Sequence, residues 1–308
     1  MSEILTRWAR TDRVRSVALS NPAARELVAR YVAGPGLDDL VPVLRDLLGK
    51  GLLVSVEYLG REVRRPADAT GNLTAYLALV ERLAGEGLAR GTELSVRLDW
   101  LGLDLGPDRR TGAQAAGWRI GRAANNAGAG MIVDMAGHDS VEAALGVWHQ
   151  IHQDLPSTGI TLQAALQRTA GDLPTLALPG NRVRLCKGAY SESRQVCFRR
   201  PHEIDLAFVR ALRALMRSQA VPLIATHDPR LVAIAEELIR RAGRGPDSYE
   251  FQMMYGIRPL EQRRLVDIGH PTRVYVPFGP GWYDYYVQRL AQRPANAALF
   301  ARSLLGQR

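Results

Sequence analysis

One pattern limits this chain more than any other: short apolar runs alternate with longer helix-patterned segments eight times over. The runs at 52–59, 94–101, 130–135, 160–163, 182–187, 222–226, 249–254 and 272–276 have strand length. Helical periodicity fills 71–90, 112–128, 139–155, 163–170, 202–219, 229–242, 259–268 and 282–303. Eight such units predict an α/β chain closed into a (β/α)8 TIM-type barrel. The competing architecture is a doubly wound open sheet, but no G-x-G-x-x-G follows the first strand. Residues 2–49 read as helices broken at Asn21-Pro22 and Gly34-Pro35-Gly36. Asp38-Asp39 gives the last of them an acidic first turn, and Gly49-Lys50-Gly51 ends it. The expected organisation is a helical arm over 1–50 preceding a barrel over 51–308.

In a barrel of this kind ligands are held at the C-terminal ends of the strands and in the loops that follow. Asp134, Lys187, Thr226-His227 and Tyr275 all fall at or just past expected strand ends. The richest stretch is Arg182-Val-Arg-Leu-Cys-Lys-Gly-Ala-Tyr190. Alternation puts Arg182, Arg184 and Cys186 on one face of a strand and Val183 and Leu185 on the other. An arginine midway along a strand needs a partner, because a buried unpaired charge is very costly. In Lys187-Gly188-Ala189 a cation precedes bare backbone, a turn suited to an anion. The strand at 94–101 reads with Leu94, Val96, Leu98 and Trp100 toward the helices. That leaves Ser95, Arg97 and Asp99 toward the barrel interior. Asp228 and Pro229 suit the N-cap and first position of a helix.

Composition removes several classes of function. With 46% hydrophobic and 23% charged residues, the 308-residue chain is an ordinary globular protein. No apolar run approaches the ~20 residues of a membrane span. The N-terminus lacks a signal-peptide layout, so a cytoplasmic location is expected. Cys186 and Cys197 match no metal or redox spacing. His149 and His152 share a helix face without carboxylates or cysteines to complete a metal site. The net charge of +9 is spread along the chain, and aromatics are only 6%, unlike a nucleic-acid module with its basic stripe. Loose attraction to an anionic membrane surface at the inner face suits that charge better. Only Lys50 and Lys187 are lysines, so a lysine kept at 187 suggests a place where arginine's fork would not fit.

Four ordered segments resemble the proline dehydrogenase family, in its monofunctional bacterial form. Residues 182–190 are similar to its Val-Arg-Leu-Val-Lys-Gly-Ala-Tyr element, and Ala225-Thr-His-Asp228 to its Ala-Thr-His-Asn. Glu250-Phe-Gln-Met-Met-Tyr-Gly-Ile-Arg258 is similar to Glu-Phe-Gln-Met-Leu-Tyr-Gly-Ile-Arg. Arg273-Val-Tyr-Val-Pro-Phe-Gly279, with the helix from Trp282 to Asn296, resembles the family's last strand and helix. Weaker similarity runs through Val133-Asp-Met135 and Val56-Glu-Tyr-Leu-Gly60, so the resemblance spans roughly 50–305.

The resemblance implies a barrel with preceding helices that binds FAD non-covalently and oxidises L-proline to Δ1-pyrroline-5-carboxylate, with hydride passing to flavin N5. It implies Asp134 and Arg184 as catalytic residues, Arg184 lying near N5. Cofactor contacts would come from Met135, Gln163, Arg184, Lys187, Gly188, Ala189, Thr226, His227 and Gln252. Substrate contacts would come from Arg97, Tyr275, Tyr285, Gln288 and Arg289. Reoxidation by a membrane quinone is the family's behaviour. The substrate set departs from the family pattern. On the last helix the family has a tyrosine, arginines at +3 and +4 and a glutamate at +7. This chain has Tyr285, Gln288, Arg289 and Gln292, with Arg61 for a glutamate and Arg97 for a lysine. Loss of one arginine together with two acids avoids an uncompensated buried charge. Two substrates fit this altered clamp: proline, or a different cyclic or N-substituted amine of a specialised pathway. A flavin-binding regulator without proline activity is the reading from another class.

Overall fold

The computed structural model describes residues 30–60, 62–106, 110–188, 192–283 and 285. Eight strands form the barrel: β1 (Leu53–Tyr58), β2 (Thr92–Val96), β3 (Gly130–Val133), β4 (Gly159–Gln163), β5 (Arg182–Cys186), β6 (Val221–Ala225), β7 (Glu250–Met254) and β8 (Thr272–Phe278). Each pairs in parallel with the next, and β8 closes on β1 through Leu53↔Arg273 to Tyr58↔Phe278. The helices among the described residues are α1 (Leu37–Gly49), α2 (Pro66–Gly85), α3 (Arg110–Ala127), α4 (His138–Asp154), α5 (Thr169–Leu176), α6 (Pro201–Arg217), α7 (Pro229–Ala242) and α8 (Pro259–Asp267). The predicted barrel is the observed one.

Alternation along each strand divides the protein into two interiors. Val54, Val56, Leu94, Val96, Ile160, Leu162, Val183 and Leu185 point outward into the apolar layer shared with the helices. Ser55, Glu57, Glu93, Ser95, Thr161 and Arg184 point inward, and all are buried. A polar barrel interior is stable only if its groups satisfy one another or a ligand.

Three expectations are corrected. The second strand begins at Thr92 and stops at Val96, not at 94 and 101. Leu98 to Leu101 instead forms a tight turn, with Leu101 N–H donating to Leu98 O and Gly102 at φ +93°. The apolar alternation of Leu98 and Trp100 imitates a strand there, and Asp99 lies in the turn. No helix spans 163–170. After β4 the chain keeps pairing with β5, Ala164 N–H donating to Cys186 O and Ala165 N–H to Lys187 O at 2.8 Å each, before α5 starts at Thr169. Tyr275 sits inside β8 and not at its end, because that strand runs on to Phe278.

Before α1 the chain crosses the C-terminal end of β8. Ala33 N–H donates to Pro277 O and Gly34 O accepts from Gly279 N–H, at 3.0 and 2.9 Å. α1 has Asp38 and Asp39 in its first turn, and it buries Leu40, Val41, Leu44 and Leu47 in the same apolar cluster as the barrel. The predicted helices before residue 30 and the helix expected over 282–303, apart from its first residues, lie outside the described residues.

Candidate active site

Arg184 is the centre of the inward-facing layer, 3% exposed. Its Nε donates to Gln252 Oε1 at 2.6 Å, Nη1 to Ser95 Oγ at 2.9 Å, and Nη2 to Ser55 Oγ at 3.0 Å and Glu93 Oε1 at 2.9 Å. Four of its five N–H groups are thus engaged by acceptors on three strands, β1, β2 and β7, with Asp134 Oδ1 3.6 Å from Nη1. Burial would lower its pKa, but Asp134 and Glu93 outweigh burial and raise it, so the cation persists. Asp134 is near, whereas Glu250 is held by Arg273 through contacts of 2.7 and 2.9 Å. The partner at shortest range is Glu93, which the sequence reading missed because its second strand began two residues late. Glu93 lies two residues before Ser95, on the same face.

Asp134 follows β3, and its carboxylate is fully used. Oδ2 accepts from Tyr275 OH at 2.7 Å and Ser95 Oγ at 3.0 Å, and Oδ1 accepts from Met135 N–H at 2.8 Å. Burial alone would raise its pKa; the Arg184 charge and these donors reverse that and hold it below the usual carboxylate range. Tyr275 moves the other way. Burial and the nearby Asp134, Glu57 and Tyr285 push its phenol well above 10. Its ring also faces the Arg184 guanidinium at 5.4 Å. At neutral pH the set is therefore a fixed guanidinium, a carboxylate and a phenol that keeps its proton.

Above this layer opens a cavity of about 540 Å3, lined by Asp134, Arg184, Lys187, Gly188, Thr226, His227, Gln252 and Tyr275, together with Met135, Thr161 and Cys186. That size suits a small molecule or part of a cofactor. Most of the expected site residues are therefore brought together. Gly188 has φ +119°, and a Cβ there would meet Gln163 Oε1 at 3.1 Å and Ala165 Cβ at 3.2 Å, so only glycine is at ease. Gln163 itself stands behind Gly188 with Nε2 donating to Ala136 O at 2.7 Å, and it is not on the cavity wall. His227 Nε2 accepts from Met254 N–H at 2.8 Å, which leaves the ring proton on Nδ1. Asp228 caps α7, accepting from Arg230 N–H at 3.0 Å, with Pro229 in the first turn as expected.

Lys187 is at the rim, its side chain 35% exposed, between Asp205 at 2.5 Å and Asp228 at 3.1 Å. Hydrogen bonds from Arg230, then from Lys187, hold Asp228 far below the ordinary carboxylate range. The anion-binding lysine is thus already counterbalanced. Arg97 is also committed, its fork closing on Asp99 at 3.2 and 2.5 Å and covering the Trp100 ring at 4.9 Å. It does not line the cavity. Tyr285 is half-buried near Tyr275. Ala189, Gln288, Arg289, Gln292 and Arg61 lie outside the described residues.

Two observations of the cavity fit a flavin: a cation on its wall, and a buried Thr161 hydroxyl that has no partner among the described residues. Comparison with known proteins bears on the family. The family model described as proline dehydrogenase matches residues 41–291. Proline dehydrogenase 1 of Bacillus subtilis (strain 168) is 32% identical over 276 residues, 90% of each chain. Proline dehydrogenase of Deinococcus radiodurans is 28% identical over 281 residues, 91% of this chain and 90% of its own. Among solved structures, proline utilization A from Bdellovibrio bacteriovorus, inactivated by N-propargylglycine, superposes with a TM-score of 0.81 at 21% identity. That match covers 91% of this chain but only 34% of the larger protein, and it bears on the fold alone. By the extent of the family match and the identity to the Bacillus relative, this chain belongs to the proline dehydrogenase family.

Proposed function

We propose that the protein binds FAD non-covalently in the cavity and oxidises L-proline at its C–N bond, giving Δ1-pyrroline-5-carboxylate. Family membership carries the reaction class: oxidation of a CH–NH donor in proline catabolism. The observation that supports the flavin most directly is Arg184, a desolvated cation clamped by four acceptors on the cavity wall.

The bound flavin supplies a two-electron acceptor that takes hydride from carbon. The chain's residues prepare that transfer. Arg184 favours an electron-rich ring beside it and disfavours an ammonium, so the substrate amine reacts in its neutral form. Asp134 stays ionised and spends its lone pairs on Ser95, Tyr275 and the Met135 amide, which makes it a fixed electrostatic element and not a proton acceptor. Tyr275, a phenol at neutral pH, closes the β8 side of the cavity as a surface for a small ring. Lys187, Gly188, Thr226 and His227 line the cavity and would hold the cofactor. Tyr285 serves substrate recognition, together with Gln288 and Arg289, whereas the Arg97 fork is taken up by Asp99.

A membrane quinone is the proposed electron acceptor, reached from the cytoplasmic side. The charge of +9 favours an anionic leaflet, and among the described residues no helix is long and apolar enough to cross a membrane. The test is spectroscopic. Purified protein should be yellow, and anaerobic L-proline should bleach its flavin bands. A yellow protein that proline leaves unbleached would overturn the substrate, and a colourless chain that FAD does not reconstitute would overturn the cofactor.

A further inference from the structure

Among the described residues, Thr161 carries a buried hydroxyl on the cavity wall that has no hydrogen-bond partner. It lies on β4 between Ile160 and Leu162, both packed into the outer apolar layer, so its side chain faces the barrel interior. It is 7% exposed and lines the cavity, yet among the described residues its Oγ1 has no hydrogen-bond partner. Its neighbours are better provided for. Ser55 and Ser95 hydroxyls donate to Glu93 and Asp134, and Thr169 donates to Gln163 O. A buried hydroxyl left unmade is destabilising, and valine would satisfy the same strand position and packing at no such cost. A ligand that completes the bond removes the penalty.

Register says which ligand. Thr161 is paired with Arg184 on β5, and Gln163 two residues on is paired with Cys186. Met135, Cys186 and Gly188 continue the same side of the cavity. Tyr275 is on β8, four strands away from β4 in the closed order of eight and hence across the barrel. A group touching Thr161 therefore lies against the β3–β5 wall beside the Arg184 guanidinium, away from the Tyr275 side assigned to substrate.

We propose that Thr161 is a cofactor-holding residue, its hydroxyl hydrogen-bonding the polar edge of the bound flavin ring beside Arg184. This rests on the flavin reading above. The bond sharpens the cofactor's seat and, being made to the redox-active ring, helps set its potential.

The test uses the holoenzyme with Thr161→Val, which removes only the hydroxyl, and Thr161→Ser, which keeps it. Flavin fluorescence released on serial dilution gives the cofactor Kd, and spectroelectrochemistry gives the reduction potential. Thr161→Val should weaken flavin binding about five- to tenfold, as expected for one hydrogen bond, and should move the potential. Thr161→Ser should stay within about twofold of wild type by the same rule. Thermal unfolding of the full chain without added FAD should be unchanged or raised in Thr161→Val, since an unpaired hydroxyl has gone. Equal weakening by valine and serine would mean that packing is responsible and would overturn the assignment. So would a valine variant that binds flavin as tightly as wild type at the same potential. Wild-type protein that binds no flavin would remove the cofactor reading itself, an outcome distinct from either.

Discussion

The two ends of the barrel interior use charge in opposite ways. At the N-terminal end Arg273 grips Glu250 through Nε and Nη2 and donates from Nη1 to Val54 O, while Arg182 and Arg184 share Glu93. Apart from part of Arg182, these groups are sealed from solvent. Burial would raise the Glu93 carboxyl, but Arg273, Arg182 and Arg184 pull it well down. At the mouth, Lys187, Asp205, Asp228 and Arg230 form a comparable set of opposite charges with water at its edge. Sealed pairs resist removal of either member, because the survivor is left charged in a poor solvent. Exposed pairs are exchangeable, because water or a ligand phosphate can replace either member at little cost. The lower lattice therefore holds Arg184 still, and the rim trades contacts with whatever arrives.

The largest effect should follow from breaking the lattice. Arg273→Ala strands Glu250 and is expected to cost about 3–5 kcal/mol in urea unfolding; a loss under 1 kcal/mol would mean that the lower layer is not sealed. Next, Arg184→Lys keeps a charge but loses the fork, and flavin reduction by proline in stopped flow should slow about 100-fold. Ser95→Ala removes the hydroxyl that receives from Arg184 and donates to Asp134. It should lower stability by about 1–2 kcal/mol and shift the flavin potential, with threonine restoring part of both. Acid should weaken both ends, since Asp228 at the rim is held low as well. Asp134 and Glu93 have folded pKa values below their unfolded ones, near ~4. Their contribution is complete above that pH and is lost as pH falls toward the folded values. Urea midpoints should thus be flat between about pH 5 and 8, as far as these groups decide it, and drop below about pH 4. The smallest stability effect belongs to the rim: Lys187→Met should change it by under about 1 kcal/mol while raising the flavin Kd and weakening its salt dependence.

How much of this was readable in advance depended on sequence distance. The barrel was legible because each strand–helix unit is a local pattern, and Lys187, Gly188 and Asp134 because they sit at strand ends. Partners were not. Ser55 and Glu93 meet Arg184 across separations of 129 and 91 residues, and nothing near Arg184 in the chain says which acid will face it. Arg97 read as a substrate contact with Asp99 facing inward beside it on a longer strand; the chain turns after Val96 instead, and Asp99 takes up the Arg97 fork. Thr161 was invisible for the plainest reason, since threonine in a strand is unremarkable until its hydroxyl is seen to lack a partner.

The strap formed by Ala33 and Gly34 on the last strand bears on how the polypeptide can be divided. A fragment starting at residue 51 would give up the amide and carbonyl that dock on Pro277 and Gly279, and would bare the apolar barrel surface that the leucines of α1 cover. The leading helix thus works as a lid sewn to the seam where the cylinder closes, and an excised cylinder should emerge from expression as insoluble material.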